Sequence, residues 1–194
     1  SATADRTWLV DPLCGTLNFA AQTPLVAVNV TLRSAGRLTA ACSAHPVAGE
    51  LLWTDGRGAY LRRDGTDSPL SPSAESALVD VNVDEPRTNA DRFLAARLLT
   101  DRDFLAAFGP RVLSTSLPLS WVAAGRRAAY VSDGHQRDSV HFAAGIALCE
   151  ASGCVVTDLL GAPLGEGVGG LVAAADGATH RRLIEIIGRQ FSPA

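Results

Sequence analysis

Residues 7 to 19 read Thr7-Trp8-Leu9-Val10-Asp11-Pro12-Leu13-Cys14-Gly15-Thr16-Leu17-Asn18-Phe19. The apolar run Trp8, Leu9, Val10 has the composition of a buried strand end, and Pro12, with no N–H to offer a ladder, is expected to lead the chain out of the sheet. Gly15 and Thr16 then open a turn whose free N–H groups can face an anion. Asp11 is placed to point from the strand end into that turn. The stretch therefore offers one carboxylate, Asp11, and one thiol, Cys14, beside a phosphate-sized cradle.

Further along, Val140-His141-Phe142-Ala143-Ala144-Gly145 is followed by Glu150-Ala151-Ser152-Gly153 and by Thr157-Asp158-Leu159-Leu160-Gly161-Ala162-Pro163-Leu164. Between the two regions lie His45-Pro46, Gly49-Glu50-Leu51, Gly56-Arg57-Gly58-Ala59-Tyr60 and Gly125-Arg126-Arg127-Ala128-Ala129-Tyr130. Taken together and in this order, the segments resemble the inositol monophosphatase family over essentially the whole chain. That family's first loop runs Asp-Pro-x-Asp-Gly-Thr-x-Asn-Phe. Asp11, Pro12, Gly15, Thr16, Asn18 and Phe19 match it, Cys14 stands at the second Asp, and the family's downstream metal-binding Asp falls on His141.

The resemblance implies an α/β fold, layered as α+β, in the form of an αβαβα sandwich. It also implies phosphomonoester hydrolysis, in which two or three Mg²⁺ ions held by clustered carboxylates bind the phosphate and activate a water. Carried over position by position, Asp11 keeps its carboxylate, Leu13 its backbone carbonyl and Thr16 a hydroxyl that orients a water. Cys14 and His141 remove two carboxylates, and Mg²⁺ prefers oxygen ligands. Family members begin with helices and a strand bearing a Glu-Glu metal motif, and no such segment precedes Ser1. With no Met at position 1, the chain is a fragment, a processed form or a misjudged start, and if it is complete the expected fold is the family sandwich with its N-terminal helices missing. An apolar sheet face left without its helices usually finds a partner, so a homo-oligomer is expected.

Composition sets the outer limits. A chain of 194 residues with 47% apolar content can build a substantial core, and the formal charge of −3 gives no basic face for nucleic acid. All 17 basic residues are Arg. No apolar run reaches the ~18 residues of a membrane span and no signal segment opens the chain, so no membrane partner and a cytoplasmic location are expected. The cysteines at 14, 42, 149 and 154 form no Cys-x-x-Cys pair and read as free thiols.

Periodicity predicts strands at 25–33, 38–44, 50–53 and 58–62, a polar loop at 64–76, and a strand over Leu78–Val83 on which Asp80, Asn82 and Asp84 face solvent. It predicts helices at 89–108 (capped by Asn89), 117–124, 140–151 and 178–190, and strands at 111–114, 128–132, 154–158 and 170–175. Residues 1–84 would form the antiparallel part with the metal-phosphate loop and 85–194 the α/β part, as one compact unit.

If the family fold holds, His141 lies in the first turn of its helix and meets Asp11 and Cys14. Three readings compete for the cluster. In the first, the two-metal site is degraded and the chain is a pseudophosphatase that binds a small phosphorylated polyol, sugar or nucleotide against Gly15 and Thr16, with no cofactor or residual Mg²⁺. In the second, it is an active metal-dependent phosphomonoester hydrolase with a rebuilt site, in which Asp138 or Asp133 replaces the lost ligands. In the third, Asp11, Cys14 and His141 hold Zn²⁺, or Cys14 and His141 act as thiolate and base. Of the remaining signals, His45 reads as a turn residue, His180 with Arg181 and Arg182 as a solvated helix face, and Gly165 to Gly170 as a turn before the last strand. Arg126-Arg127 is a candidate phosphate contact, and His135 a candidate pocket residue.

Overall fold

Alternation along the first third of the chain builds an antiparallel meander in the computed structural model, which describes residues 6–84, 92–134 and 139–191. Its strands are β1 (Arg6–Cys14), β2 (Ala27–Ser34), β3 (Arg37–His45), β4 (Glu50–Thr54), β5 (Ala59–Arg63) and β6 (Thr66–Pro69), each paired with the next. The inward face is unusually polar: Asn29, Thr31, Ser43, His45, Glu50 and Thr54 are all buried there with Ala27 and Leu52. On β1, Trp8 and Val10 alternate to the opposite face and remain 62% and 48% exposed.

A second sheet comprises β7 (Leu78–Asn82), β8 (Gly109–Arg111), β9 (Ala129–Ser132), β10 (Val155–Thr157) and β11 (Leu171–Ala174) in the order β10-β11-β9-β7-β8. β7 runs parallel to both its neighbours, and the other pairs are antiparallel. Of the helices α1 (Thr16–Ala20), α2 (Arg102–Ala107), α3 (Leu117–Ala123), α4 (Ala143–Ser152) and α5 (Gly177–Gln190), α3 and α4 pack between the sheets. α2, α5 and a 3₁₀ turn at Ala95–Thr100 cover the far face of the second sheet. The result is the layered α/β arrangement expected, with one core between the sheets around Leu52, Leu119, Tyr130 and Leu148, and another under α5 around Val81, Phe93, Phe104 and Ile186. Gly145 allows α4 to lie against α3, because a Cβ there would stand 2.6 Å from Leu119 Cγ.

The structure corrects several local expectations. Pro12 does not take the chain out of the sheet: β1 continues to Cys14 through an irregularity in register between Asp11 and Cys14, where a residue without an N–H is tolerated. The 64–76 loop contains β6, entered through Asp64 and Gly65 at φ 50° and 76°, a hairpin turn signal that composition masked. Asp80 and Asn82 are buried, because β7 is an inner strand of a sheet covered on both faces; only Asp84 is exposed. The helix expected over 89–108 is broken at Asp101, whose carboxylate accepts from Phe104 N–H at 2.9 Å and caps α2. Asn89 lies outside the described residues. The strand expected at 111–114 sits earlier, at Gly109–Arg111, and the 140–151 helix begins at Ala143.

Candidate functional site

The β1 irregularity shapes the site. Asp11 pairs with Asn29 across β1 and β2, and Cys14 pairs with Ala27, so the two residues turn inward on either side of Pro12 and Leu13. Gly15 then takes φ +88°, where a Cβ would meet the Leu25 carbonyl oxygen at 2.5 Å, so only glycine allows so tight a departure into α1. Asn18 locks this turn, its amide donating to the carbonyls of Leu25 at 3.1 Å and Ser114 at 2.9 Å.

His141 arrives from the turn before α4 and not from within its first turn. Its Nδ1 lies 2.7 Å from Asp11 Oδ2, pairing a half-exposed imidazole with a buried carboxylate. Leu13 N–H donates to Asp11 Oδ1 at 3.3 Å, and Ser116 N–H donates to Cys14 Sγ at 3.2 Å. The candidate ligand atoms of Asp11, Cys14 and His141 all lie within 4.8 Å of one another, so the cluster expected from the sequence is assembled. A cleft of about 390 Å³ opens above it, lined by Cys14, Gly15, Thr16, Asn82, Ser116 and His141 among others. Thr16 stands exposed at the rim.

Electrostatics argues against a free nucleophilic thiolate. Burial pushes the Cys14 thiol up and the Asp11 charge adds to this, with the Ser116 N–H acting in the opposite direction. The donor set also fails to suit Mg²⁺, the ion implied by the resemblance. One carboxylate, one thiol and one imidazole do not make a hard oxygen site. We therefore assign no hydrolytic step to Mg²⁺ here.

Other candidates lie elsewhere. Asp138 and His135 fall outside the described residues. Asp133 is turned to the core side, its Oδ2 accepting from Ala95 N–H at 2.8 Å. Leu13 contributes its N–H to Asp11, while its side chain lines a separate apolar groove with Phe19 and Val47. Arg126 donates to Glu50 through both Nη atoms at 2.7 and 2.8 Å, and Arg127 is paired with Asp80, so neither is free to meet a phosphate. His45 is a buried residue ending β3, with Nδ1 3.7 Å from Glu50, and not a turn residue. His180 is not fully solvated, because its Nε2 lies 2.7 Å from Thr157 Oγ1. Gly165 to Gly170 does form a turn ahead of β11.

Two site residues escaped the sequence reading. Asn29 Nδ2 donates to Ser116 Oγ at 2.8 Å, joining β2 to the start of α3 beneath the cluster. The traces were present: Asn29 stands between Val28 and Val30 in a strand, and Ser114-Thr115-Ser116 precede a helix with proline in its first turn.

Comparison with known proteins agrees with this fold. A sequence profile of the inositol monophosphatase family matches residues 1–191. The chain is 32% identical over 194 residues to the inositol-1-monophosphatase ImpA of Mycolicibacterium smegmatis, covering 96% of this chain and 67% of that protein. It is 34% identical over 163 residues to the Nus factor SuhB of Pseudomonas aeruginosa, covering 81% of this chain and 58% of that protein. The inositol monophosphatase structure from Anabaena superposes with a TM-score of 0.81 at 26% identity, covering 100% of this chain and 75% of that one.

Proposed function

The chain belongs to the inositol monophosphatase family, and we propose that it is a member whose cleft binds a small phosphorylated polyol, sugar or nucleotide without efficient Mg²⁺-dependent hydrolysis. The observation that carries this reading is the pairing of Asp11 with His141 at 2.7 Å beside Cys14, where a Mg²⁺ site would need clustered oxygen ligands. Gly15 and Thr16 supply the anion-facing turn, and Asn82 and Ser116 supply neutral donors across the cleft. A phosphorylated ligand would rest on these groups, without the paired Mg²⁺ ions that the family chemistry uses to stabilise a leaving oxygen. Of the carboxylates the rebuilt-site alternative calls on, Asp133 serves the core and Asp138 lies outside the described residues; Asp84 does line the cleft, its Oδ2 accepting from Ser114 Oγ at 2.8 Å, and is the carboxylate left to that alternative.

The test is phosphate release from inositol, sugar and nucleotide monophosphates, titrated with Mg²⁺. We expect a flat response to the metal, with ligand binding seen as a rise in Tm. Saturable Mg²⁺-dependent turnover would overturn the reading.

A cytoplasmic homo-oligomer is part of the same proposal. No helix among the described residues is long and apolar enough to cross a membrane. Trp8 and Val10 on the outward face of β1 give a second copy an apolar surface to cover. Light scattering should give a mass above the 20.2 kDa of one chain, and Trp8→Glu should lower it towards that value. A monomer in both cases would remove the oligomer from the proposal.

A further inference from the structure

We propose that Asp11, Cys14 and His141 form a Zn²⁺ site at the floor of the cleft, a borderline-soft metal centre where the family relationship implies a hard-oxygen one. The three donors come from separate points of the fold: the inner part of β1, its last residue, and the turn entering α4. Each is of a type that Zn²⁺ accepts, and their ligand atoms already lie within 4.8 Å of one another.

The fit to one ion is close. Bonds of about 2.0–2.3 Å place tetrahedral Zn²⁺ donors roughly 3.3–3.8 Å apart. The Asp11–His141 approach of 2.7 Å has to open slightly and the widest separation has to close by about 1 Å, within the play of one side chain. His141 has that freedom, since its side chain is 57% exposed. Asp11 and Cys14 are the fixed members, each held by a backbone N–H, from Leu13 and from Ser116. Such outer contacts orient ligands and spread their charge.

Charge and hydrogen bonding support the same ion. On ligation the Cys14 thiol gives its proton to solvent and its sulfur bonds the metal, while His141 binds as the neutral imidazole. The carboxylate and thiolate then cancel both charges of the cation, which suits a site whose two anionic members are buried. Asn29 Oδ1, buried beside Asp11 in the β1–β2 pair, has no hydrogen-bond partner among the described residues. The fourth coordination position would be left to a water or a phosphate oxygen from the cleft.

The inference stands independently of whether a phosphorylated ligand binds, and its test uses the metal alone. The full chain is stripped with a chelator, then titrated with Zn²⁺ against a chromogenic competitor and, separately, loaded with Co²⁺. We expect one Zn²⁺ per chain, no competition from millimolar Mg²⁺, and a thiolate-to-Co²⁺ absorption band. Cys14→Ser should abolish the band and weaken Zn²⁺ by on the order of 100-fold, as should His141→Ala for affinity, because removing a ligand costs at least as much as removing its supporting contact. Cys42→Ser, on a different strand, should change neither. The Co²⁺ band of the unmodified chain decides the matter even if a variant folds poorly. Absence of that band, substoichiometric Zn²⁺, or undiminished binding in folded Cys14→Ser would overturn the proposal. Turnover assays do not enter, so its failure is separable from failure of the binding reading.

Discussion

Replacing Cys14 and His141 together by aspartate is expected to make the protein's stability depend on Mg²⁺. The double variant sets three carboxylates where one carboxylate, one thiol and one imidazole now lie within 4.8 Å of one another. Without metal, an attractive Asp11–His141 pair becomes a cluster of like charges in a partly buried site. Even after proton uptake relieves part of the repulsion, the metal-free variant should lose about 2 kcal/mol. Mg²⁺ then finds oxygen donors suited to it. At a hundredfold excess over its dissociation constant it should return about 2.7 kcal/mol, seen as a Tm rise of roughly 5–10 °C for a chain of this length. The unmodified chain should show no such rise. A Mg²⁺-induced Tm rise of similar size in the unmodified chain, or a double variant indifferent to Mg²⁺, would contradict our account of why the site departs from its family. Phosphate release by the same variant locates the remaining defect. Recovered turnover would place all of it at these two positions, and silence would place part of it elsewhere.

Acid should unfold the protein in two overlapping steps centred on β3 and β4. His45 is buried at the end of β3, and burial holds its imidazole down from 6.5 to about 4, with Glu50 pulling it upward and Arg126 pushing it further down. Ser43 lies against its Nε2, and the Trp121 ring meets it edge-on. Since the unfolded chain takes up this proton near 6.5 and the folded one only near 4, stability is complete above pH 6.5. It falls as pH drops between those values, by about 3 kcal/mol. Glu50 adds a second loss below it. Hydrogen bonds from Arg126 first, and also from Arg63, hold its carboxyl at about 2 against burial, so its contribution is present above 4.5 and disappears as pH approaches 2. That second loss is smaller than the shift alone suggests, because Arg126 and Arg63 are 35% and 57% exposed and their charges are screened by water. Urea midpoints measured from pH 7 to pH 3 should fall throughout. His45→Gln should flatten the part between 6.5 and 4, and persistence of the full slope in that variant would refute the assignment.

The Glu50 cluster also shows why the inner face of the first sheet can be polar. Glu50 on β4 is joined to Arg63 on β5 and to Arg126 beyond α3, and so connects the meander to the segment leading into β9. A buried carboxylate with these partners is satisfied, and the polar face packs against α3 and α4 without leaving an isolated charge. Of the two arginines that the sequence offered as phosphate contacts, Arg126 is committed to this connection and Arg127 to Asp80.

Much of this protein was legible before any coordinate. Local chemistry is written in adjacent residues: the Asp11-to-Phe19 loop, the Gly15 turn, the alternating strands of the first sheet and the amphipathic α5 all follow from spacing and residue type. So does the donor set at two positions, because a thiol at 14 and an imidazole at 141 cannot become carboxylates in any fold. Elements whose character depends on what covers them were not legible. Asp80 and Asn82 alternate with valines like a half-solvated strand, and only the position of β7 between β8 and β9, under helices on both sides, buries them. His45 resembles a turn residue until Glu50 and Trp121 are brought to it. Asn29 and Ser116 stand 87 positions apart, and their hydrogen bond beneath the cluster exists only because β2 and α3 meet. The sequence by itself determined which chemistries the site could offer, since side-chain type sets donor hardness and charge. Tertiary structure decided which residues share one site and which are committed elsewhere, since burial, ion pairing and ligand geometry depend on distances that chain order does not contain.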